Sequence, residues 1–370
     1  MSGPAMRWVA TAAGSCQSAP DSERVPLAGL LLQAGERPSR SVYLFLRPAG
    51  AWHLLPIEEA IVARGIDLLA VSTRYARNEA LAVVERGLLD VGAWVRFARM
   101  ELGYQRVNLL GWSGSGTQAA FYQEQATRPT ILATPDGAPL VLAKAGLDPA
   151  DGLVFLGAHT SRARMLADAI DPSVGTEADP DTREPALDLY AAGAAAPPYE
   201  PGFLAAYRAA QLARVRRISA FAHERLSQGR LDPFVVPRTM ADPHFLDPTI
   251  DPNGRPAGRC WLGSPAAVNV SPSGIARVAT PEAWLSQWSI DDCQVDAVRS
   301  AAVIDCPLLV VENGADDAVP AAHLRETFAA AASPDKSYRV IPGASHSYAG
   351  QPAELAAVAD AVCSWAAERH

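Results

Sequence analysis

Residues 106–123 read Arg-Val-Asn-Leu-Leu-Gly-Trp-Ser-Gly-Ser-Gly-Thr-Gln-Ala-Ala-Phe-Tyr-Gln. Val107, Leu109 and Leu110 make a short apolar run of the kind expected in a strand buried on both faces. Gly111 and Gly114 permit a turn too tight for bulky side chains. The stretch after the turn is a helix candidate. Its first N–H groups would point at negative charge developing beside Ser113. Ser113 is thereby set at a strand-to-helix corner, the position in which a weakly acidic alcohol is presented as a nucleophile. The spacing approaches Gly-x-Ser-x-Gly, with Ser115 in place of the last glycine. Taken alone it is equally readable as a strand followed by a glycine loop with no catalytic meaning.

Outward from this corner the chain alternates strand and helix signals. Val25–Gln33, Ser41–Arg47 and Ile66–Ser72 read as strands, Leu54–Arg64 and Glu79–Leu102 as helices, and Gly152–Gly157 as a further buried strand. That alternation argues for a parallel sheet wrapped on both faces. Thr-Pro-Asp-Gly-Ala-Pro, within Thr130–Leu142, resembles a hairpin turn. The rhythm stops after Gly157. Asp171–Pro201 and Val235–Val278 are rich in Pro and Asp and read as extended loops, with a long amphipathic helix over Pro201–Arg230 between them. Trp284 and Trp288 share a helical face at i, i+4. The rhythm returns at Cys306–Val311 and Ser337–Ile341, and a final helix is expected over Pro352–Ala367. The reading is one sheet domain, 1–158 and 301–370, interrupted by a mainly helical insert at 159–300.

At 370 residues the chain can bury a full core, and 49% hydrophobic with 19% charged residues is the composition of a folded protein. A net charge of −8 argues against general affinity for nucleic acid or anionic membrane. No apolar run approaches the ~20 residues that span a bilayer. The five cysteines, Cys16, Cys260, Cys293, Cys306 and Cys363, are scattered and form no CxxC pair. Neither a disulfide framework nor a zinc site is indicated. Ala-Gly-Ser-Cys at 13–16 has the look of a lipoprotein cleavage site but lacks a basic leader and a sustained apolar stretch. The expectation is a cytoplasmic protein acting on a small molecule.

A serine nucleophile needs a base, and the base needs an orienting acid. The strand at 306–311 runs into Asn-Gly-Ala-Asp-Asp-Ala-Val-Pro, carrying Asp316 and Asp317. The strand at 337–341 runs into Pro-Gly-Ala-Ser-His, carrying His346. In an open parallel sheet such loops gather at the carboxyl edge, where ligands bind. With Gly-Trp-Ser-Gly-Ser at 111–115, these motifs resemble those of the α/β-hydrolase family, in the chain order Ser…Asp…His. The resemblance covers about residues 25–158 and 301–370. It implies an α/β fold with a mostly parallel central sheet flanked by helices and a cap inserted between later strands, at 159–300.

The resemblance also implies roles. Ser113 attacks an acyl carbon, His346 takes and returns the proton, and Asp316 holds the imidazole. An imidazole's ordinary pKa of ~6.5 suits that exchange. Asp-x-x-Val-Pro spacing favours Asp316; Asp317 is the rival, and either carboxylate can instead cap the helix expected near Pro320. Of the two oxyanion donors, one is the N–H of Gly114. The other belongs to the loop Arg-Pro-Ala-Gly-Ala-Trp-His at 47–53. Pro48 has no N–H, so Ala49 is the candidate and Gly50 the second. Ser115 is a lesser candidate nucleophile, flanked by Ser113 and Thr117 rather than glycines.

Other residues are candidates for substrate contact. Trp52 and His53 lie on the oxyanion loop, Trp112 precedes the nucleophile, and Arg74 and His159 follow strands on the same edge. For His159 the alternative is a hydrogen-bonded residue at a domain boundary. For the neighbouring Asn78 it is a helix N-cap. Asp242, Asp247, Asp251 and Asn253 crowd one loop, but their spacing does not fit calcium, and Asx-turns explain them better. Trp284 and Trp288, with Phe203, Tyr207 and Phe221, form either the cap's own core or an apolar pocket. The expected function is cleavage of a carboxylic ester of a fairly bulky apolar substrate through an acyl-enzyme, without metal or organic cofactor. Amide, thioester or carbon–carbon cleavage and acyl transfer are open alternatives, because the fold hosts all of them. A ligand-binding protein on the same scaffold is the alternative of a different class.

Overall fold

The computed structural model describes residues 5–14, 24–35, 39–47 and 55–369. Its centre is an eight-stranded sheet. The strands on the N-terminal side are β1 (Ala5–Ala13), β2 (Val25–Gln33), β3 (Ser41–Leu46), β4 (Asp67–Val71), β5 (Arg106–Trp112) and β6 (Gly152–Leu156). Around them run α1 (Pro56–Val62), α2 (Val84–Met100) and α3 (Gly114–Thr127). The segment between β6 and β11, which includes the expected insert, contributes α4 (Arg162–Ala169), a small hairpin of β7 (Val174–Thr176) and β8 (Asp179–Arg183), and the long α5 (Pro201–Ser227). It continues with β9 (Phe234–Val235), α6 (Pro265–Val270), β10 (Val278–Ala279), α7 (Pro281–Gln287) and α8 (Ala297–Ala301). The chain returns to the sheet with β11 (Leu308–Asn313), α9 (Ala321–Ala330), β12 (Lys336–Ile341) and α10 (Pro352–Ala367).

The strand order is β1-β2-β4-β3-β5-β6-β11-β12. β2 pairs antiparallel with β1 and β4, and all other neighbours are parallel. β3 to β6 and β11 are covered on both faces, so alternate residues feed two different cores. Val42, Leu44, Val107 and Leu109 pack with α2 and α3 on one face. Tyr43, Phe45 and Leu110 pack with α1 and α10 on the other. This produces the unbroken apolar runs legible in the sequence. The order reverses between β3 and β5, which opens a crevice at their carboxyl ends. Ser113, Asp316 and His346 follow β5, β11 and β12 at that edge.

Several local expectations shift. The helix foreseen from Glu79 begins at Val84, because Glu79–Leu81 forms a single 3₁₀ turn. That turn is pinned by the insert: Thr280 N–H donates to Ala80 O, and Gln287 Nε2 donates to Ala82 O at 2.8 Å. The turn-like stretch at 130–142 makes only an isolated antiparallel bridge, Ala133 to Pro139. Residues 171–201 are not all loop, since they contain the β7–β8 hairpin. β1 occupies a segment with no strand signal.

Within 159–300, Leu166, Val215, Ile218, Ala222, Trp284 and Trp288 form a cluster of their own. Tyr207 joins a second one with Leu189 and Tyr199, against which Phe203 packs. Phe221 is largely exposed and meets Phe234 edge-on. α5 turns Tyr207, Gln211, Arg214, Val215, Ile218 and Ala222 inward, at helical spacing. Arg214 is fully buried there and satisfied: it pairs with Glu177 at 2.6 Å and donates to the carbonyls of Asp171, Pro237 and Arg238. Val295, Ala297 and Ala301 pack into the core between α2, α3 and the sheet. No helix among the described residues is long and apolar enough to cross a membrane.

Candidate active site

Ser113 joins β5 to α3 with φ +56° and ψ −128°. A non-glycine residue there is strained and persists only where its surroundings hold it. Two close approaches do so. A Cβ on Gly111 would lie 2.4 Å from Gly116 Cα, and one on Gly116 would lie 2.4 Å from Ala158 Cβ. Gly116, one residue beyond the expected position, therefore supplies the glycine of close packing. Ser115 fits because its Oγ turns back on the corner, accepting from Trp112 N–H at 2.9 Å and donating to Trp112 O at 2.8 Å. That hydroxyl is spent on the backbone of the corner.

The N–H of Ser113 donates to Leu156 O, and its carbonyl accepts from His159 N–H and Gly116 N–H. The corner is thus stitched to β6 and to the first residues of the insert. Ser113 itself is half-buried. Gly114 opens α3, where its N–H has no helix carbonyl within reach. The other oxyanion candidates, Ala49 and Gly50, and the pocket candidates Trp52 and His53 lie outside the described residues.

Asp316 sits in a cradle of donors. Oδ1 accepts from Ala318 N–H at 2.9 Å and Val319 N–H at 2.8 Å, and Oδ2 accepts from Asn313 Nδ2 at 3.0 Å. His346 Nδ1 lies 3.1 Å from the same carboxylate, and both side chains are buried. Burial alone would raise the Asp316 carboxyl. The coupling to the His346 ring, by charge when that ring is protonated and by hydrogen bond, together with the two backbone N–H groups, outweighs it and holds the group below the usual carboxylate range. Asp316 therefore both caps the approach to α9 and orients the imidazole. Asp317 instead accepts from the His346 backbone N–H, at a long 3.4 Å. Gly157 clears the space, since a Cβ there would stand 2.7 Å from Asn313 Nδ2 and 3.1 Å from Asp316 Oδ2.

The His346 ring is flanked by indoles. Trp112 stacks on it with centroids 4.9 Å apart and planes 21° apart, and Trp261 meets it edge-on at 6.4 Å. The Trp112 stack ties the imidazole to the residue preceding Ser113. The insert supports the acid loop as well: Asn253 Nδ2 donates to Asp316 O at 3.0 Å, Gly254 N–H to Gly314 O, and Asp251 accepts from Ala322 N–H. The Asp/Asn-rich loop makes the Asx-turns expected of it, Asp242 to His244, Asp247 to Thr249 and Asn253 to Arg255. It straps the carboxylate loop from above.

The remaining candidates divide. Arg74 is engaged with the buried Asp90 at 2.7 Å and with Gly14 O at 3.2 Å, a bond that holds the end of β1. His159 is buried, with neither ring nitrogen hydrogen-bonded among the described residues, and lies edge-on to His323 at 5.6 Å. Burial, with His323 and His346 nearby, keeps it well below the usual imidazole range and so neutral. It lines a small cavity with Trp261 and His323. Two residues without a recognisable sequence signal stand beside Gly114. Arg162, the first residue of α4, has Nη1 3.4 Å from where a Gly114 Cβ would be, lies over the Trp288 ring at 4.4 Å, and pairs with Glu79. Gln118 lies in α3, 3% exposed, with its carboxamide oxygen enclosed and unbonded among the described residues. Such an orphan acceptor costs on the order of 1–3 kcal/mol.

No protein-family model matches the chain, and no curated protein matches it. Solved structures share its architecture at low identity. A hypothetical protein from Pseudomonas aeruginosa is similar over 100% of this chain and 94% of that one, with 13% identity and a TM-score of 0.54. DcsB, solved in complex with its substrate analogue, is 13% identical over 98% and 99% of the two chains, with a TM-score of 0.52. The siderophore hydrolase EstB from Aspergillus fumigatus is 12% identical over 92% and 94%, with a TM-score of 0.50. What is shared at these identities is the fold.

Proposed function

We propose that this chain, which has the α/β-hydrolase fold, is a serine esterase in which Ser113, His346 and Asp316 act together. The observation that carries the reading is the buried 3.1 Å contact of His346 Nδ1 with Asp316, on an imidazole stacked against the residue preceding Ser113. Asp316 fixes Nδ1 as the protonated nitrogen, leaving Nε2 to accept the Ser113 hydroxyl proton. Ser113 Oγ attacks the ester carbonyl. The N–H of Gly114 stabilises the oxyanion, with Ala49 the proposed second donor. Collapse of the tetrahedral intermediate expels the alcohol, which takes the proton from His346. Water then repeats the sequence on the acyl-enzyme and releases the carboxylic acid.

The leaving alcohol must stand next to His346, and so meets the indole surfaces of Trp112 and Trp261. That favours a bulky apolar alcohol half, with residues 159–300 as the cap above it. Labelling by a fluorophosphonate tests the reading. The wild-type chain is expected to be labelled and Ser113→Ala not. An unlabelled wild type, or equal labelling of both, overturns it.

A further inference from the structure

Tyr348, two residues past His346, is buried in the core cluster that holds Val311, Ile341 and Ala344. Its backbone takes φ +55°, a left-handed conformation that a tyrosine rarely holds. From there its hydroxyl donates to Asn313 Oδ1 at 3.0 Å. Asn313, the last residue of β11, is fully buried and passes the contact on, its Nδ2 donating to Asp316 Oδ2 at 3.0 Å. That oxygen also stands 3.1 Å from His346 Nδ1. Phenol, amide, carboxylate and imidazole thus form one buried chain that starts and ends on the loop after β12.

The chemistry of the groups fixes the direction of each bond. An ionised carboxylate only accepts, so the amide must turn Nδ2 toward Asp316 and leave Oδ1 for a donor. Burial holds the Tyr348 phenol above its ordinary range, so it keeps a proton to give. The Asn313 side chain makes no other hydrogen bond among the described residues. Gly157, with its backbone at φ +47°, makes room for the amide, since a Cβ there would stand 2.7 Å from Nδ2. With Ala318 and Val319 N–H on Oδ1 and the amide on Oδ2, both carboxylate oxygens are held by groups other than the imidazole. Packing alone does not call for these polar groups. A leucine and a phenylalanine would fill the same space without desolvating an amide and a hydroxyl.

Building on the serine-esterase reading, we infer that Asn313 and Tyr348 are positioning residues that hold the Asp316 carboxylate in the rotation facing His346 Nδ1. In that reading the imidazole becomes charged only as Ser113 gives up its proton. A carboxylate already locked in place stabilises that charge without turning, which is where preorganisation lowers a barrier. Tyr348 acts through Asn313, and Asn313 through Asp316.

Kinetics on p-nitrophenyl butyrate and melting temperatures of wild type, Tyr348→Phe, Asn313→Leu and the double variant test this. Each single change is expected to lower kcat and kcat/KM together by roughly 10- to 100-fold, as loss of a hydrogen bond to a charged group does when it acts in the transition state. The double variant should fall no further than Asn313→Leu, because the phenol acts only through the amide. The downfield ¹H resonance of the His346 Nδ1 proton should move upfield or vanish in both single variants, a change that a merely structural role would not produce. Tyr348→Phe removes one hydroxyl and keeps the ring, so it carries the test if Asn313→Leu does not fold. A kcat within about twofold of wild type in Tyr348→Phe, or a lowered kcat with the Nδ1 resonance unmoved, overturns the inference and leaves the esterase reading intact. A wild type that neither hydrolyses the ester nor takes the fluorophosphonate label overturns both.

Discussion

Asp316 binds the imidazole of His346 through its side chain, whereas Asp317, the next residue, accepts only the His346 backbone N–H. The two adjacent carboxylates are thereby separated in role. In Asp316→Asn the charge facing Nδ1 is lost, and an amide nitrogen can be turned toward it. The loss of kcat is expected to be on the order of 10³–10⁴-fold, as for an orienting acid in a triad. Asp317→Asn keeps a carbonyl acceptor for a bond that is already long, so its effect should stay within about tenfold. Steady-state kinetics on one ester decides between them. A severe loss in Asp317→Asn with activity retained in Asp316→Asn would falsify the assignment.

The contact of Gly111 with Gly116 sets the geometry of the corner. A methyl at Gly111 meets backbone atoms at 2.4 and 2.8 Å, which cannot rotate away. Gly111→Ala is expected to cost about 1–3 kcal/mol, as overpacking does. Activity should fall further than stability, because relief of the clash moves Ser113. Ser115→Gly removes a hydroxyl that, among the described residues, bonds only to Trp112 backbone, and should keep most activity. Chemical denaturation and kcat measured on both variants check the pair.

The fold was most legible where burial is two-sided. β3 to β6 and β11 announce themselves as apolar runs because both faces pack against helices. Ser113, Asp316 and His346 were legible because a glycine corner and strand-end loops are local features. β1 was not: Met6 and Trp8 are exposed, and the strand is held at the sheet edge by backbone pairing with β2. The β7–β8 hairpin is polar and leaves no alternation to read. Gln118 looks like any helical residue until Gly87, from another helix, is seen to make space for it. Arg162 reaches Gly114 only because the insert folds back over α3. Both depend on contacts between distant segments, which no local pattern encodes.

Arg74, a sequence candidate for orienting substrate, is bound to Asp90, whose side chain is fully buried. Burial raises the Asp90 carboxyl, and Arg74 opposes that rise through hydrogen bonds and charge. Removing the arginine alone strands a buried carboxylate. Arg74→Ala is expected to lose about 3–5 kcal/mol of stability, and Arg74→Ala/Asp90→Ala to recover part of it. Urea denaturation of the set measures this. An unchanged denaturation midpoint in Arg74→Ala, accompanied by a raised KM, would return Arg74 to the substrate.

Glu85 joins the body of the protein to the insert by accepting from Ser286 Oγ at 2.7 Å. Its other oxygen is buried without a partner, and no cation is paired with it among the described residues. Burial pushes its carboxyl up to about 7, against which the Ser286 hydrogen bond is the largest opposing effect. The folded state therefore holds this proton more tightly than the unfolded chain, whose carboxyl titrates near 4.5. The resulting stability is fully present below about pH 4.5. It declines as pH rises and is gone above about pH 7, a change of about 3 kcal/mol. Glu85→Gln keeps an acceptor for Ser286 and cannot ionise. The stability difference between wild type and Glu85→Gln should shift in favour of the variant between pH 5 and 8. Denaturation midpoints collected across that range measure it, and a difference independent of pH would show that Glu85 is already ionised in the folded protein.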